Sequence, residues 1–156
     1  MTLLPSDVTV LVVDDDPNSL DIAARLLQRQ GYRTRTASDG ESCLRIATSE
    51  PIDLVLLDVM MPGMDGFAVC AALRAAGLRL PIILLTAKDD MDTRLEGMQQ
   101  GVSEFLTKPI NTHELFARVR AQLHILELGR QLETVERNLH AARRTPDDIP
   151  GSGHRR

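Results

Sequence analysis

The chain has no tryptophan, one tyrosine and three phenylalanines, so it offers no aromatic platform on which bases or sugars could stack. Basic charge is also short. Eighteen Lys and Arg stand against twenty-two Asp and Glu, a formal net charge of -4, which argues against a nucleic-acid-binding domain and its basic stripe. No apolar run approaches the roughly 18 residues a membrane span requires. The start, Met1-Thr2-Leu3-Leu4-Pro5, lacks the basic residues of a signal peptide. Only two cysteines occur, Cys43 and Cys70, with no CxxC spacing, as expected of reduced thiols in a cytosolic protein. What is present is globular: 156 residues, 43% hydrophobic and 26% charged, enough for one domain plus an appendage.

The stretch that organises the rest is Leu54-Val55-Leu56-Leu57-Asp58-Val59-Met60-Met61-Pro62-Gly63-Met64-Asp65-Gly66. A short apolar run without alternation is the pattern of a strand buried on both faces, as in a parallel sheet. Pro62, Gly63 and Gly66 then turn the chain. Asp58 is thereby placed where a buried strand surfaces, at the carboxyl edge where open α/β sheets bind ligands. A strand-end Asp that merely caps the next turn is the simpler alternative, and the remaining strands decide between them.

Val8-Thr9-Val10-Leu11-Val12-Val13 is a first buried strand and ends in Asp14-Asp15-Asp16-Pro17. Asp16 suits an N-cap and Pro17 the first helical turn. Ile22, Leu26 and Leu27 recur at helical spacing until Gly31. Residues 32–37 alternate in polarity, the mark of an exposed edge strand, and 38–50 form a second helix around Cys43, Leu44, Ile46 and Ala47. After the Asp58 strand come a third helix over 67–76, a fully apolar strand 81–86 ending in Thr86, and a fourth helix over 89–100. Met91, Leu95 and Met98 make the apolar stripe of that helix, and its polarity and internal Gly97 suggest loose packing. A fifth strand, Val102-Ser103-Glu104-Phe105-Leu106, leads to Lys108-Pro109, and a last helix starts at Asn111 or Thr112 with Glu114 near a capping-box position. Five strand–helix repeats predict an α/β fold: a parallel sheet with helices on both faces.

In such a sheet all strand ends share one edge. Asp14, Asp15, Asp58, Thr86 and Lys108 therefore converge. Three carboxylates together repel and raise one another's pKa unless a positive charge intervenes, which a hard cation such as Mg²⁺ supplies. A nucleophilic carboxylate, a metal, a hydroxyl and a lysine make up a phosphoryl-transfer site. Each residue alone has a plain structural explanation as a cap, a turn residue or a solvated charge. Five at the ends of four core strands do not.

These residues resemble the receiver domain of two-component response regulators, of the chemotaxis and PleD-like kind. The resemblance rests on Val12-Val13-Asp14-Asp15-Asp16, on Leu57-Asp58-Val59-Met60-Met61-Pro62-Gly63-Met64-Asp65-Gly66, on Leu85-Thr86-Ala87 and on Lys108-Pro109. It covers residues 7–125. It implies a flavodoxin-like sheet of order 2-1-3-4-5 and a cis Lys108–Pro109 bond. It also implies Asp58 as phosphoacceptor and Asp14 and Asp15 as the acid pocket. Asp15, Asp58 and the backbone carbonyl of Met60 become Mg²⁺ ligands, with Asp14 acting through water. Thr86 and Lys108 would meet the phosphoryl group, and Phe105 would be the aromatic switch. Met60 and Lys88 would tune the lifetime of the acyl phosphate. The implied donor is a sensor histidine kinase or a phosphotransfer protein, and the implied output is a changed face of the fourth helix, fifth strand and fifth helix.

Beyond Arg120 the helical pattern continues. Ile125, Leu128, Leu132, Val135, Leu139 and Ala142 step by three and four, an a/d seam flanked by charged residues. A coiled-coil homodimer or signalling helix over 126–144 is the expectation, against a helix folded back on its own domain. Fewer than three heptads and Gly129 make the seam weak by itself. Residues 145–156 read as a disordered tail. The sequence has no room for an output domain, so it is expected to be a stand-alone regulator or, preferably, a receiver and linker from a longer protein. Three rivals are disfavoured. An aspartyl-nucleophile phosphatase needs a second Asp two residues after the nucleophile, where Met60 stands. A pseudo-receiver would lack one of the site residues. A flavodoxin-type cofactor binder would meet repulsion from Asp14-Asp15-Asp16. The chain is therefore not expected to turn over external substrates.

Overall fold

A computed structural model describes residues 3–87 and 91–143, without the side chains of Met91 and Thr93. Its strands are β1 (Thr9–Val13), β2 (Arg33–Ala37), β3 (Leu54–Asp58), β4 (Ile82–Thr86) and β5 (Glu104–Thr107), and its helices α1 (Pro17–Arg29), α2 (Gly40–Ser49), α3 (Gly66–Ala75), α4 (Met91–Gln99) and α5 (Thr112–Ala142), after a short 3-10 turn at Pro5–Asp7. The sheet is parallel throughout, in the order β2-β1-β3-β4-β5, which is the α/β flavodoxin-like arrangement expected.

The apolar runs are explained by two cores. Alternate residues of one strand point to opposite faces, and here each face is covered. Leu11, Val13, Val55, Leu57, Ile82 and Leu84 pack with α2 and α3 through Cys43, Ile46, Val69 and Leu73. Val10, Val12, Leu54, Leu56, Ile83 and Leu85 pack with α1 and α5 through Ala23, Leu27, Leu115 and Val119. Both cysteines are buried free thiols. β2 lies at the edge with only Ala37 of its residues buried, and Arg35 there grips Glu50 in two hydrogen bonds of 2.7 and 2.8 Å.

Helix starts follow local chemistry. Asp16 caps α1, Asp39 caps α2, Asp65 caps α3 and Asn111 caps α5, each side chain accepting backbone N–H bonds of the first turn. No described helix is long and apolar enough to cross a membrane.

Two expectations about helix faces are corrected. Ile22 is exposed, and Ala23 and Ala24 join the expected Leu27 in burying α1. In α4, Leu95 and Met98 are exposed while Gly97 is buried against Phe105. The helix is drawn in at its glycine by close backbone approach, so the face at 94 and 97 turns inward while Leu95 and Met98 turn out. Strand β5 is also shorter than the pattern suggested, because Val102 and Ser103 still belong to the approach loop.

The last helix passes the body of the domain and keeps going. Its 31 residues make it about 45 Å long at helical rise. Leu115, Val119 and Leu123 are buried, whereas every described residue from Leu128 onward is exposed. The expected tail over 145–156 and the start of the fourth helix at Asp89 lie outside the described residues.

Candidate functional site at the carboxyl edge

The ends of β1 and β3 deliver the acidic residues. Backbone N–H of Asp14 donates to Ala37 O at 3.2 Å, and that of Val59 to Leu85 O at 2.9 Å, so the ladders hold both strand ends to the last residue. Asp14 and Asp58 are buried to 3% and 4% exposure, while Asp15 stands exposed beside them. Carboxylate oxygens from all three lie within 4.8 Å of one another. Asp16, next in sequence, does not join them. It caps α1, and its N–H donates to Asp14 Oδ1 at 2.9 Å, fixing that carboxylate's orientation.

Lys108 enters from the end of β5. Its N–H donates to Thr86 O at 2.8 Å, and the Lys108–Pro109 bond that follows is cis. The ammonium lies 3.2 Å from Asp58 Oδ2 and 3.4 Å from Asp14 Oδ2. Thr86 is 4% exposed at the end of β4, across the ladder from Thr107. Thus the five residues that the sequence placed at strand ends share one edge.

The charges settle unevenly. Burial pushes the carboxyl pKa of Asp58 up, and Asp14 adds to the rise. Lys108 and the Met60 N–H, which donates to Asp58 Oδ1 at 3.3 Å, hold it back. Burial presses the Lys108 pKa down, but Asp58 and Asp14 outweigh it and leave it above the ordinary lysine value. One ammonium between two buried carboxylates, with a third carboxylate exposed, is a negatively charged pocket. Its donors are all oxygens clustered within a few ångströms, with no thiolate or imidazole among them, which is the chemistry of a hard cation rather than of zinc or copper. The residues therefore fit Mg²⁺.

Gly66 makes the loop after β3 possible, a role beyond the chain turn that its place in the sequence predicts. A Cβ there would lie 2.6 Å from Asp58 O and 2.8 Å from Val59 Cα. Its own N–H donates to Val59 O at 2.9 Å. The first turn of α3 thus sits directly against the backbone of Asp58, leaving Met60 at the rim with 71% exposure. A Gly immediately after the Asp65 cap was the available signal.

Phe105 is 8% exposed, within the core on the α2–α3 side, with the Arg94 guanidinium 5.4 Å from its ring centroid. Lys88 lies outside the described residues. The seam residues Ile125, Leu128, Leu132, Val135 and Leu139 are each 50–58% exposed and sit well away from the carboxyl edge. At the opposite edge Arg130 reaches Asp53 Oδ1 at 3.0 Å, and Asp53 Oδ2 accepts the Thr9 N–H at 2.9 Å. Nothing in local sequence pattern announces that long-range pair.

Comparison with known proteins adds the lineage. Residues 10–120 match the family model described as response regulator receiver domain. The chain is 42% identical over 116 residues to the transcriptional regulatory protein TcrA of Mycobacterium tuberculosis, covering 74% of this chain and 46% of that protein. It is 44% identical over 114 residues to the response regulator PleD of Caulobacter vibrioides, covering 72% of this chain and 25% of that one. The chain thus spans about half or less of the length of these curated relatives. Among solved structures it is similar to the chemotaxis protein CheY4 of Vibrio cholerae, with a TM-score of 0.71 at 32% identity over 73% of this chain and 97% of that one.

Proposed function

This chain belongs to the response-regulator receiver family of two-component signalling, and from that premise we propose that Asp58 is its phosphoacceptor. The observation that carries the assignment is the Lys108 ammonium 3.2 Å from Asp58 Oδ2, inside a cluster of three carboxylates at the end of the central strands. A carboxylate oxygen of Asp58 attacks the phosphorus of a phosphohistidine on a sensor histidine kinase or phosphotransfer protein. The new O–P bond forms as the P–N bond breaks, and the donor imidazole leaves. Lys108 exchanges its contact with Asp58 for the phosphoryl oxygens, and the buried Thr86 hydroxyl donates to them. Asp15, Asp58, the Met60 carbonyl and, through water, Asp14 would hold Mg²⁺, which neutralises charge on the transferring oxygens. Water later attacks the acyl phosphate and releases phosphate, at a rate that Met60 and Lys88 would tune. Catalysis is confined to the chain's own phosphorylation and its reversal.

The output reading follows from what surrounds Lys108. An aspartyl phosphate brings roughly two negative charges, which re-bias Thr86, Lys108 and Phe105 and so the face of α4, β5 and α5. On this reading residues 7–125 are the receiver, 126–144 a helical extension that pairs with a second copy through Ile125, Leu128, Leu132, Val135 and Leu139, and 145–156 a tail. The half-exposed seam supports it. The setting is the cytoplasm, with a protein partner or output domain rather than nucleic acid or a membrane as the direct target.

The test is phosphorylation by acetyl phosphate with Mg²⁺. The wild-type chain should take up label and Asp58→Asn should take up none while keeping its circular dichroism spectrum. Label persisting in Asp58→Asn would move the acceptor elsewhere. Sedimentation with and without beryllofluoride, a phosphoryl mimic, reads the dimer: truncation after Leu126 should abolish any association without touching phosphorylation.

A further inference from the structure

An alanine in place of a helix-interior glycine ordinarily favours the helix, yet α4 carries Gly97 on its buried face. The reason lies across the gap. A Cβ at position 97 would fall 2.5 Å from Phe105 Cζ and 2.7 Å from Cε1, with Phe67 Cε1 at 3.4 Å. Carbon atoms do not approach so closely without one of them moving, since contact distance is about 3.5–4.0 Å. The obstacle is the flat end of an aromatic ring already wedged between α4 and β5, with the Arg94 guanidinium one turn earlier lying over the same ring at 5.4 Å. A backbone without a side chain at the ring's edge and a cation over the ring leave a slot on α4, and Phe105 fills it at 8% exposure.

We infer that Gly97 is the positioning residue for Phe105: by leaving the slot open it seats the ring inward before any phosphoryl group arrives. This rests on the proposed role of Phe105 as the switch of the phosphorylated face. Two consequences follow. First, a side chain at 97 expels the ring in the unmodified protein. Second, if the inward ring accompanies the phosphorylated state, whatever disfavours the inward ring must weaken binding of a phosphoryl mimic by the same factor, since coupling between two sites is reciprocal. Phe105 is then a wedge held in place from the start, and the equilibrium of the face is set from α4.

The experiment uses the full chain with ¹³C-labelled phenylalanine, whose three rings are assigned with Phe105→Leu. In the wild type without ligand, contacts between the Phe105 ring and the Gly97 α-protons should appear by nuclear Overhauser effect. In Gly97→Ala the Phe105 ring signals should shift while those of Phe116, on the other face, stay in place. Unmoved Phe105 signals in Gly97→Ala would overturn the positioning role. Beryllofluoride titration in Mg²⁺ then reads the coupling: Gly97→Ala should bind several-fold more weakly than wild type but no more weakly than the parent when built into Phe105→Leu. Equal weakening in both backgrounds would show that α4 acts by another route and overturn the inference. A wild-type chain that binds no beryllofluoride would instead overturn the Asp58 assignment and the coupling, with the ring contact still read from the unliganded spectra.

Discussion

Within the single helix Thr112–Ala142, two halves carry the same three-and-four spacing of apolar residues and meet opposite surroundings. Leu115 and Val119 are fully buried against β1, β3, β4 and α1, while Leu128, Leu132, Val135 and Leu139 are about half exposed. Amphipathic spacing says that one face wants covering; it does not say what covers it. The first half was covered by the sheet beside it. The second half extends past the sheet's edge, where Arg130 meets Asp53 and Glu127 accepts the Leu3 N–H.

The contrast can be broken most strongly by truncating one side chain in each half. Leu115→Ala should cost about 2–5 kcal/mol of unfolding free energy, the range for a buried leucine. Leu132→Ala should leave the monomer within about 0.5 kcal/mol and lower only self-association. Urea unfolding at low protein concentration checks the first, and sedimentation the second. Similar destabilisation of the monomer by both would mean that the second half folds back onto a surface of its own chain.

Magnesium should widen the same difference, because it acts on the body alone. At a hundred times its dissociation constant it should raise the unfolding free energy by about 2.7 kcal/mol, read as a raised thermal midpoint, with amide exchange in residues 128–142 unchanged. The pH dependence changes sign with it. Without metal, Asp58 holds its proton more tightly folded than unfolded, so the folded chain binds more protons and stability falls as pH rises from the ordinary carboxylate range through Asp58's raised value. With metal the ligands must be deprotonated, so the stabilisation grows with pH over that window and is lost in acid. Asp58→Asn should remove both effects.

A smaller change sharpens the boundary between the halves. Arg130→Gln removes a partly exposed ion pair, so the cost should stay below about 1 kcal/mol, but amide exchange should quicken between residues 121 and 131. The smallest effect expected is none. The Cys43 thiol, pushed up to about 12 by burial and then by Asp39, should resist alkylation at neutral pH until the body unfolds.

Much of this was legible in the chain. Runs such as Val10–Val13 and Leu54–Leu57 could only be strands covered on both faces, and each ended in a residue with chemistry to offer. Strand alternation with helices places those ends on one edge, and with them Asp14, Asp15, Asp58, Thr86 and Lys108. The faces of α1 and α4 were not legible. Ile22, Leu95 and Met98 are apolar and correctly spaced, but Ala23 and Gly97 are smaller and let the backbone come closer, and proximity decided which side was buried.

Sequence alone determined the number of repeats, the buried strands, the helix cap at Asp16 and the acidic edge, because those depend on local periodicity and on residue chemistry at fixed offsets. Tertiary structure decided that Lys108 bridges Asp58 and Asp14, that Gly66 lies against the Asp58 backbone, that Gly97 makes room for Phe105 and that Asp53 holds Arg130. Each is a contact between residues distant in the chain or a clearance of a few tenths of an ångström, and such distances exist only once the elements have packed.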